Sequence, residues 1–525
     1  MQRDERAARW SSRPQEVGLK GTGVSAPPCR QPQKPRLKPV DRTQLLLRTV
    51  DVDELVGPDH SVRAIWALVE QLDLRGFYEA IQAVEGKPGR SALDPQLLIS
   101  MWVYAYSQGV SSAREVSRLC EYDPAFQWLT GLQTVSYHTL SDFRVGHQEV
   151  LDELFTQVLG VLSAGGLITL ERVMHDGTKI KACASGDSFR REDRLRNHLA
   201  MAREQIEQLG DPRSEEVSQR VAKARERALR EKQQKLEQAL EQLEEIRAVK
   251  QGKEKFEARA SWSDPEARVM KHADGGYAPS YNLQLSTDAT AKVVIGVSVS
   301  QSASDCGQLG AAVKVLEANL GRRPAQMVVD GGYIDYDTIV GMHEQTVDLI
   351  GSLSQEAIGR NGQMKQRGVS PEFFRDAFKY DPVKDGYCCP AGRWLSYLRE
   401  EARDGEVMYR YRARAEDCQA CSFKAQCCPQ NDCCGRSVVR REGDAIVAAF
   451  KARMQTPEAQ AIYKERAPVA EFPNLWIKAK MKLRQFRLRG LIKVKIESVW
   501  AALSYNIAQW IRLCWKPRGV AILKG

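Results

Sequence analysis

Three acidic residues of this 525-residue chain lie far apart in sequence, and each follows a different kind of local pattern. Asp176 follows residues 172–174 (Arg-Val-Met), a short run that can form the edge of a strand. Asp330 ends the apolar run 327–329 and precedes two glycines, whereas Glu471 lies in a Lys/Arg-rich stretch that is predicted to be helical. Carboxylates from two strand ends and one helix can hold two Mg²⁺ ions for in-line attack on a phosphodiester. The strongest constraint on the fold is that it should bring these three residues together.

The composition is that of an ordinary globular chain, with 43% hydrophobic and 27% charged residues. Because the sequence has no apolar run of about 18 residues, we expect no membrane span. The N-terminal residues are polar and basic and lack the apolar centre of a secretory signal, so the cytoplasm is the expected location.

The net charge of +10 is unevenly distributed. Residues 1–40 carry nine Lys/Arg and three Asp/Glu, and residues 472–525 carry twelve Lys/Arg and the single acid Glu497. Two basic ends suggest a polyanionic partner, most simply nucleic acid. A solubilising tail is an equally good interpretation of the N-terminal end. Near the C-terminus, Trp476 and Phe486 interleave with the charges, which favours a binding surface.

Residues 45–167 show helical periodicity with several helix-start signals, among them Ser111 or Ser112 and the stretch that begins at Ser136. Short helices with tight turns predict a compact bundle, and the helix-turn-helix module is one member of that class. A purely structural helical domain fits the pattern equally well.

From residue 171 the pattern becomes that of a mixed α/β sheet. The strand that carries Asp176 is followed by a hairpin of strands near residues 281–286 and 293–299, then by a helix and the strand that ends in Asp330. Between the first strand and the hairpin, residues 189–250 are polar and helical. Leucines there are spaced as the seam of a coiled coil, which predicts a dimerisation arm or a spacer: Leu229, Leu236, Leu240 and Leu243.

Eight of the thirteen cysteines crowd between residues 388 and 434, which indicates metal binding rather than disulfides in a chain without a secretory signal. Four thiolates can hold a structural, tetrahedral Zn²⁺. The favoured ligands are Cys389, Cys418, Cys421 and Cys427. Because cysteines are doubled here, Cys388 or Cys428 could replace its neighbour.

Residues 457–513 are predicted to form one or two long helices. On a regular helix, Glu471 and Lys478 lie within roughly 20° of each other, but Arg466 lies about 140° away. Pro468 or Pro473 must therefore reshape the backbone if all three serve one site. A basic series in this stretch suits contacts with phosphates: Lys478, Lys480, Lys482, Arg484, Arg487 and Arg489.

Several strings along the chain carry a resemblance to a known family. They are Gly-Arg-Ser-Ala-Leu-Asp-Pro-Gln-Leu-Leu at 89–98, Ser-Tyr-His-Thr-Leu-Ser-Asp-Phe-Arg at 136–144, His-Asp-Gly-Thr-Lys at 175–179, Ser-Asp-Pro-Glu-Ala-Arg at 263–268, Tyr-Asn-Leu-Gln at 281–284, Val-Asp-Gly-Gly-Tyr at 329–333, the Cys-Pro and Cys-x-x-Cys region, and Phe-Arg-Leu-Arg-Gly at 486–490. In this order they resemble the DDE transposases of bacterial insertion sequences, whose catalytic domain is RNase H-like.

The resemblance implies that Asp176, Asp330 and Glu471 form a catalytic triad that binds Mg²⁺ or Mn²⁺. It also implies that Tyr463, Arg466 and Lys478 contact phosphates of the transposon end. The implied chemistry is hydrolysis at the element's ends, which frees a 3′-OH, followed by attack of that hydroxyl on target DNA.

The segment after the glutamate departs from the family form, because Pro-Asn-Leu-Trp at 473–476 stands where a Phe-Gly pair is commoner. Glu465 and Glu497 are therefore alternatives for the third acid. Pairing of two DNA ends would make a homodimer the natural assembly.

Three other functions fit parts of the sequence: a catalytically inactive, sequence-specific DNA-binding protein derived from a transposase, a zinc-dependent nuclease, and a coiled-coil scaffold. An all-thiolate zinc site has no open position for water, which disfavours the nuclease. The predicted fold is an RNase H-like α/β core with an all-α N-terminal domain, a helical or coiled-coil insertion and a Cys-rich, zinc-binding insertion. The predicted divisions are a disordered basic tail (1–40), a helical DNA-binding domain (41–167), the core (168–188 and 262–355), the helical insertion (189–261), the Cys-rich insertion (356–445), and catalytic and basic helices (446–525).

Overall fold

The computed structural model describes residues 49–83, 91–209, 219–250, 252–352, 361–403, 406–430 and 434–516. The described residues from Asp51 onward form one compact unit. Some predicted features lie outside the described residues: the basic tail 1–40, the dipeptide Gly89-Arg90, the break at 210–212 and Cys433.

The N-terminal part is helical, as predicted. Its helices are α1 (Ser61–Val69), α2 (Arg75–Glu79), α3 (Pro95–Ser107), α4 (Ala113–Tyr122), α5 (Pro124–Thr130), α6 (Tyr137–Gly146) and α7 (Gln148–Ala164). The hydroxyl of Ser112 accepts a hydrogen bond from the amide of Glu115, and that of Ser136 accepts one from the amide of His138. These N-caps satisfy amides at the helix starts, and of the two serines proposed to cap α4, Ser112 does so.

A helical insertion follows the first strand. The elements are β1 (Arg172–Lys181), β2 (Phe189–Arg190), α8 (Glu192–Leu209), α9 (Gln219–Val249), α10 (Lys253–Phe256) and β3 (Ala260–Ser261). Strands β2 and β3 pair at the base of the insertion. Leu236 and Leu243 of the predicted seam pack with Leu195 and Leu199 of α8, so α8 and α9 bury this seam against each other within the chain. A supercoil or a dimer through this hairpin stays a prediction.

The central sheet is mixed, as predicted. The elements that complete it are β4 (Arg268–Lys271), β5 (Tyr277–Asp288), β6 (Val293–Ser300), α11 (Leu309–Leu320), β7 (Gln326–Val329), α12 (Tyr336–Glu344) and β8 (Asp348–Gly351). The strand order is β4-β5-β1-β7-β8, and β6 pairs with β5. Strand β5 is antiparallel to β1 and β6, whereas β7 is parallel to β1 and β8.

The cysteine-rich region contains a second sheet. Its elements are α13 (Asn361–Gln366), β9 (Lys379–Asp381), β10 (Gly386–Cys388), β11 (Trp394–Arg403), β12 (Glu406–Ala413), α14 (Ala415–Gln419), α15 (Lys424–Cys427) and β13 (Ser437–Arg441). The five strands follow the order β13-β12-β11-β10-β9. Their apolar cluster is small and rests mainly on Phe378, Tyr387, Leu395, Tyr411 and Val438.

The C-terminal part consists of shorter helices than the sequence predicts. They are α16 (Asp444–Met454), α17 (Pro457–Lys464), α18 (Arg466–Ala479) and α19 (Leu491–Trp510), followed by a π-helical turn at Ile511–Trp515. Residues 480–490 are not helical, so the prediction of a single long helix over 457–513 is wrong, whereas the alternative of separate helices agrees with the break between α18 and α19. Lys482 and Gly490 adopt positive φ angles there, and the backbone instead pairs with Lys181 at the end of β1 through Arg484 and Phe486.

A single large apolar cluster joins the N-terminal helices, the central sheet and helices α16–α19. Helix α19 is at its centre and packs against α3, α6, α7 and β6. The Asn506 side chain donates to the carbonyl of Val294 and accepts from its amide, at 2.7 and 2.9 Å, and so covers the edge of β6.

Within the described ranges, the helices are all too short or too polar to cross a membrane.

Candidate active site

The two aspartates lie on neighbouring parallel strands. Asp176 is within β1, and Asp330 immediately follows β7. Met174 is paired with Val328, so continuing this register by two residues brings Asp330 opposite Asp176. Adjacent strands are about 4.8 Å apart, so the two residues, which are distant in sequence, are neighbours at one point of the sheet.

Asp176 is largely buried, with 18% of its side chain exposed. Burial raises its pKa to about 6, and the negative charges of Asp330 and Asp305 act in the same direction. The guanidinium of Arg466 and a hydrogen bond from Asn474 oppose this rise in pKa. The carboxylates of Asp330 and Asp305 are therefore close enough to Asp176 to disfavour its ionised form.

The turn after β7 needs its two glycines. The carboxylate of Asp330 accepts a hydrogen bond from the amide of Gly332 at 2.7 Å, which caps the short turn Gly331–Tyr333. A Cβ atom on Gly331 would lie 3.0 Å from the carbonyl oxygen of Ser352, which is tighter than ordinary packing. The glycines thus let the chain turn sharply and keep Asp330 at the strand end.

Helix α18 brings positive and amide groups to Asp176. Nη1 of Arg466 is 3.8 Å from Oδ1 of Asp176, and Nδ2 of Asn474 donates to Oδ2 at 3.0 Å. Lys478 is half-buried, and its pKa is lowered by burial while the charge of Asp176 opposes that shift. The helix contains Pro468 and Pro473 without a break. Arg466 reaches Asp176 from a helix that runs through both prolines, so for this contact the backbone is not reshaped.

Glu471 is exposed, one turn before Asn474 on α18. Its carboxylate has no hydrogen bond or ion pair within the described part of the chain. The two alternative acids are engaged elsewhere: Glu465 pairs with Arg172, and buried Glu497 accepts hydrogen bonds from the amides of Arg487 and Leu488. Of the three glutamates, Glu471 is the one whose carboxylate is free.

A network of buried polar side chains links β1 to β5. His175 contacts Ser286 through Nδ1 and Gln284 through Nε2, at 2.8 and 2.9 Å. Burial lowers the pKa of His175 to about 4, so the ring is neutral at pH 7. Gln284 also accepts from the hydroxyl of Tyr333 and donates to Asp305. The network connects strands β1 and β5 with the loop that carries Asp305.

Sequence reasoning missed Asn474 and Asp305. Asn474 was noted only as part of a departure from the family form, although its position between Glu471 and Lys478 on one helix was a usable signal. Asp305 stands in a polar loop of serines after β6, and the sequence there carries no comparable signal.

The predicted DNA-binding residues lie beside this site or on the connection after α18. The Arg466 guanidinium lies 5.9 Å from the centre of the Tyr463 ring. Arg484 and Arg489 donate to the carbonyls of Lys478 and Cys183, at 3.4 and 2.8 Å. The exposed basic residues of this stretch are Lys480, Lys482, Arg484, Arg487 and Arg489.

The four favoured cysteines line one cavity in the Cys-rich region: Cys389, Cys418, Cys421 and Cys427, with Cys428 beside them. The amide of Arg393 donates to the sulfur of Cys389 at 3.2 Å, and that of Arg436 donates to the sulfur of Cys418 at 3.3 Å. Burial raises the pKa of Cys427 to about 12, and the neighbouring thiols add to this rise.

No three His, Cys, Asp or Glu side chains of the described residues are gathered closely enough to hold a metal ion as they stand. This applies both to the acidic residues around Asp176 and to the cysteine cavity.

Two segments match known protein families. Residues 50–146, which include α1–α6, match the family described as "Transposase domain (DUF772)". Residues 388–511, which include the cysteines and α16–α19 with Glu471, match the family described as "Transposase DDE domain". Both descriptions are those of transposase families, so these two parts of the chain are similar to transposases.

The two matches confirm the resemblance that was drawn from the sequence, which is to the DDE transposases of insertion sequences. Asp176 and Asp330 lie outside both matched segments. No curated protein and no solved structure matches the chain significantly.

Proposed function

We propose that this transposase cleaves DNA at the ends of its insertion sequence and joins the freed 3′ ends to target DNA, using Asp176, Asp330 and Glu471. The observation that carries the proposal is the parallel pairing of β1 with β7, in which Met174 is opposite Val328, two residues before Asp176 and Asp330 respectively. Helix α18, which contributes Glu471, crosses the same point, because its Arg466 and Asn474 reach Asp176.

We infer that the central sheet is an RNase H-like core. Its main strands follow the order β6-β5-β1-β7-β8, with β5 antiparallel to both its neighbours and β7 and β8 parallel to β1. The first acid lies on the central strand, and the second directly follows the parallel neighbour of that strand. This arrangement supports the fold that the family resemblance implies.

The donor atoms near Asp176 suit Mg²⁺ or Mn²⁺, which prefer oxygen ligands. Burial and the nearby charges of Asp330 and Asp305 raise the pKa of Asp176, and a divalent ion held by Asp176 and Asp330 would favour the ionised form of Asp176. When bound, the metal would supply Lewis-acid activation of the phosphodiester and of the attacking oxygen. Asn474 orients Asp176, and Glu471 provides the third carboxylate from α18.

Cationic side chains beside the acids would bind the DNA backbone. Arg466 and Lys478 flank Asp176, where they would neutralise the phosphate that reacts and its neighbour. Tyr463 packs by Arg466, and the exposed basic residues of the connection 480–490 continue the positive surface along the DNA.

We also propose a structural zinc ion in the cysteine cavity, held by Cys389, Cys418, Cys421 and either Cys427 or Cys428. Amide hydrogen bonds to the sulfurs of Cys389 and Cys418 would stabilise thiolates, which are the form that binds zinc. Because the apolar cluster of this sheet is small, a metal ion that crosslinks the cysteines would stabilise the fold of this region. The sulfurs would need to approach one another on binding.

The decisive experiment is cleavage of labelled DNA that carries the element's own ends. Wild type, Asp176→Ala, Asp330→Ala and Glu471→Gln are compared with and without Mg²⁺, and Glu465→Gln is the matched control. We expect metal-dependent nicking by wild type and Glu465→Gln, and none by the other three.

Full cleavage by Asp176→Ala would overturn the mechanism. Binding without cleavage by wild type would instead favour the inactive DNA-binding protein. Activity of Glu471→Gln together with loss in Asp330→Ala would move the third acid to Glu465 or Glu497.

A further inference from the structure

The long helix α9 of the insertion carries its charges unevenly. Its first part, residues 219–235, contains seven Lys/Arg and two Glu, whereas residues 236–249 contain one Arg and four Glu. The neighbouring helix α8 mixes both signs, with three Arg and four acidic residues. Mixed charges are typical of a helix that is simply exposed to solvent, so the segregation of charge along α9 needs another explanation.

The basic part of α9 exposes its charges on the side away from α8. Lys223, Arg227 and Arg230 are exposed and, at 100° per residue, lie within about 60° of one another. Leu236 and Leu243, which pack against α8, lie about 150° or more around the helix from the middle of this group. Arg230 is ion-paired within the helix, whereas Lys223 and Arg227 form no ion pair with any described residue. Two positive charges are therefore available to an anionic partner.

This part of α9 lies beside the connection 480–490. The pKa of Glu231 on α9 is lowered first by its hydrogen bond with Lys235 on the same helix. The positive charges of Lys493 and Arg489 lower it further, because both side chains are close to α9. Arg489 belongs to the connection, and Lys493 is exposed in the first turn of α19. The basic part of α9 thus adjoins the basic residues already assigned to the DNA backbone.

Hydrogen bonds fix α9 relative to that connection. Gln242 on α9 accepts a hydrogen bond from Arg268 on β4. The segment that leads from the insertion to β4 binds the end of the connection, because Asp264 accepts a hydrogen bond from the amide of Gly490 at 3.0 Å. The two basic segments therefore keep one relative position, as a surface must if it contacts several phosphates of a stiff double helix.

The length of the basic part suits a DNA backbone. Residues 223–231 span about 12 Å along the helix, at about 1.5 Å per residue. Successive phosphates of one DNA strand advance by about 3.4 Å along the duplex axis, so this length passes about three phosphates.

Resting on the function proposed above, we propose that the basic part of α9 binds the sugar-phosphate backbone of double-stranded DNA at the transposon end, next to the stretch bound by the connection 480–490. The helical insertion is then part of the DNA-binding surface. Lys223 and Arg227 contact phosphates, which strengthens binding without selecting a base sequence.

The test is binding of the full-length protein to labelled duplex DNA of the element's end, measured by fluorescence anisotropy at several salt concentrations. The variant is Lys223→Gln with Arg227→Gln, which keeps good helix formers at both exposed positions. Lys314→Gln with Arg322→Gln is the matched control, because it removes two exposed positive charges from α11 and the turn after it. Circular dichroism checks that each variant is folded.

We expect the α9 variant to bind about 10-fold or more weakly than wild type at moderate ionic strength, and the slope of log K against log salt concentration to decrease by about 2. Hydroxyl-radical footprinting should show that a few adjacent nucleotides lose protection in this variant. The control should match wild type in affinity, slope and footprint.

Unchanged affinity and slope in the folded α9 variant, together with metal-dependent cleavage by wild type, would overturn the role of α9 and leave the proposed function standing. Light scattering without DNA tests a second copy of the chain as the partner, with Glu241→Gln and Glu244→Gln in the acidic part of α9 as a further variant. Dissociation of a wild-type dimer by both α9 variants, without a change in the footprint, would overturn the proposal in favour of pairing between two α9 helices. Failure of wild type to bind end DNA would overturn the proposed function and this inference with it.

Discussion

Asn474 shows how a single neutral side chain can position Asp176, the proposed catalytic acid. It donates to Asp176 from α18, and its own Oδ1 is buried without a hydrogen-bond partner in the described structure. An amide at this point fixes one oxygen of Asp176 without adding a charge that would compete with a metal ion.

We expect Asn474→Ala to slow DNA cleavage about 10-fold, because Asp176 loses the donor that orients it. Cleavage rates under saturating Mg²⁺ and DNA provide the measurement. Leu475→Ala is the control, since Leu475 is the next residue on α18 and is 65% exposed. A wild-type rate for a folded Asn474→Ala protein would show that this hydrogen bond has no catalytic role.

At the scale of single residues, an acidic residue of the candidate site can be predicted from the sequence when a local pattern accompanies it. Asp330 ends an apolar run before two glycines, which marks a strand end, and the structure has the strand and the turn there. Asn474 contacts a partner that is distant in the chain, because 298 residues separate it from Asp176. Such a partnership leaves no local pattern, so it becomes visible when the sheet is assembled.

Among the structural elements, the connection between α18 and α19 carries the most exposed positive charge beside the site. It follows the end of β1, because Lys181 donates to the carbonyl of Arg484 and accepts from the amide of Phe486. Its charges therefore keep a fixed position relative to Asp176.

Replacing Lys480 and Arg487 together by alanine should weaken binding to DNA ends and reduce the slope of log K against log salt concentration by about 2, because two phosphate contacts are lost. Filter binding or fluorescence anisotropy at several salt concentrations measures the slope. Lys314→Ala with Arg322→Ala removes two exposed charges from α11 and the turn after it, and should leave the slope unchanged. Equal slopes for all three proteins would contradict this role of the connection.

The cysteine cavity gives a second prediction at the scale of elements. Purified protein should contain about one Zn²⁺ per chain by elemental analysis, and Cys418→Ser with Cys421→Ser should remove it and lower the unfolding temperature. Cys514→Ser, a change at a half-buried cysteine outside the cavity, is the control. A zinc-free wild-type protein purified without chelator would refute the structural metal.

Elements with local start and stop signals were predictable, and the connection 480–490 was not. Serine caps and apolar periodicity predicted the N-terminal helices, and Ser112 and Ser136 do cap α4 and α6. The Lys/Arg-rich stretch 480–490 has no glycine or proline before Gly490, so local propensity favours helix there. Its pairing with Lys181 overrides that propensity.

For the molecule as a whole, α19 is the element on which the shared core depends. Its Glu497 is fully buried and accepts hydrogen bonds from the amides of Arg487 and Leu488. Burial raises the pKa of this carboxyl, and the nearby Arg144 guanidinium opposes the rise. The side chain thus ties α19 to the basic connection.

Glu497→Ala should lower the free energy of unfolding by about 3 kcal/mol, because two part-buried amides lose their buried acceptor. Urea denaturation followed by circular dichroism measures the change. Glu153→Ala, on the exposed side of α7, makes the same chemical change and should have an effect within about 0.5 kcal/mol of zero. Similar stability of the two variants would mean that Glu497 has no structural role.

The mixed sheet and the helical bundle were predictable as separate parts, because the spacing of apolar residues within each element indicates whether it is a helix or a strand. The single core that joins them was not, since it depends on α19 packing against α3, α7 and β6 at once. Long-range packing of this kind has no signature within a window of sequence.

The position of α19 at the end of the chain also constrains the order in which the protein can fold during synthesis. The ribosome synthesises α3, α7 and β6 long before α19, yet the apolar faces of these elements are covered when α19 packs on them. Until then the edge of β6 lacks Asn506, and the nascent chain exposes the kind of surface that chaperones bind. The core can therefore be completed when the C-terminal helix has been synthesised. The connection that carries the basic residues beside the candidate active site is fixed at the same step.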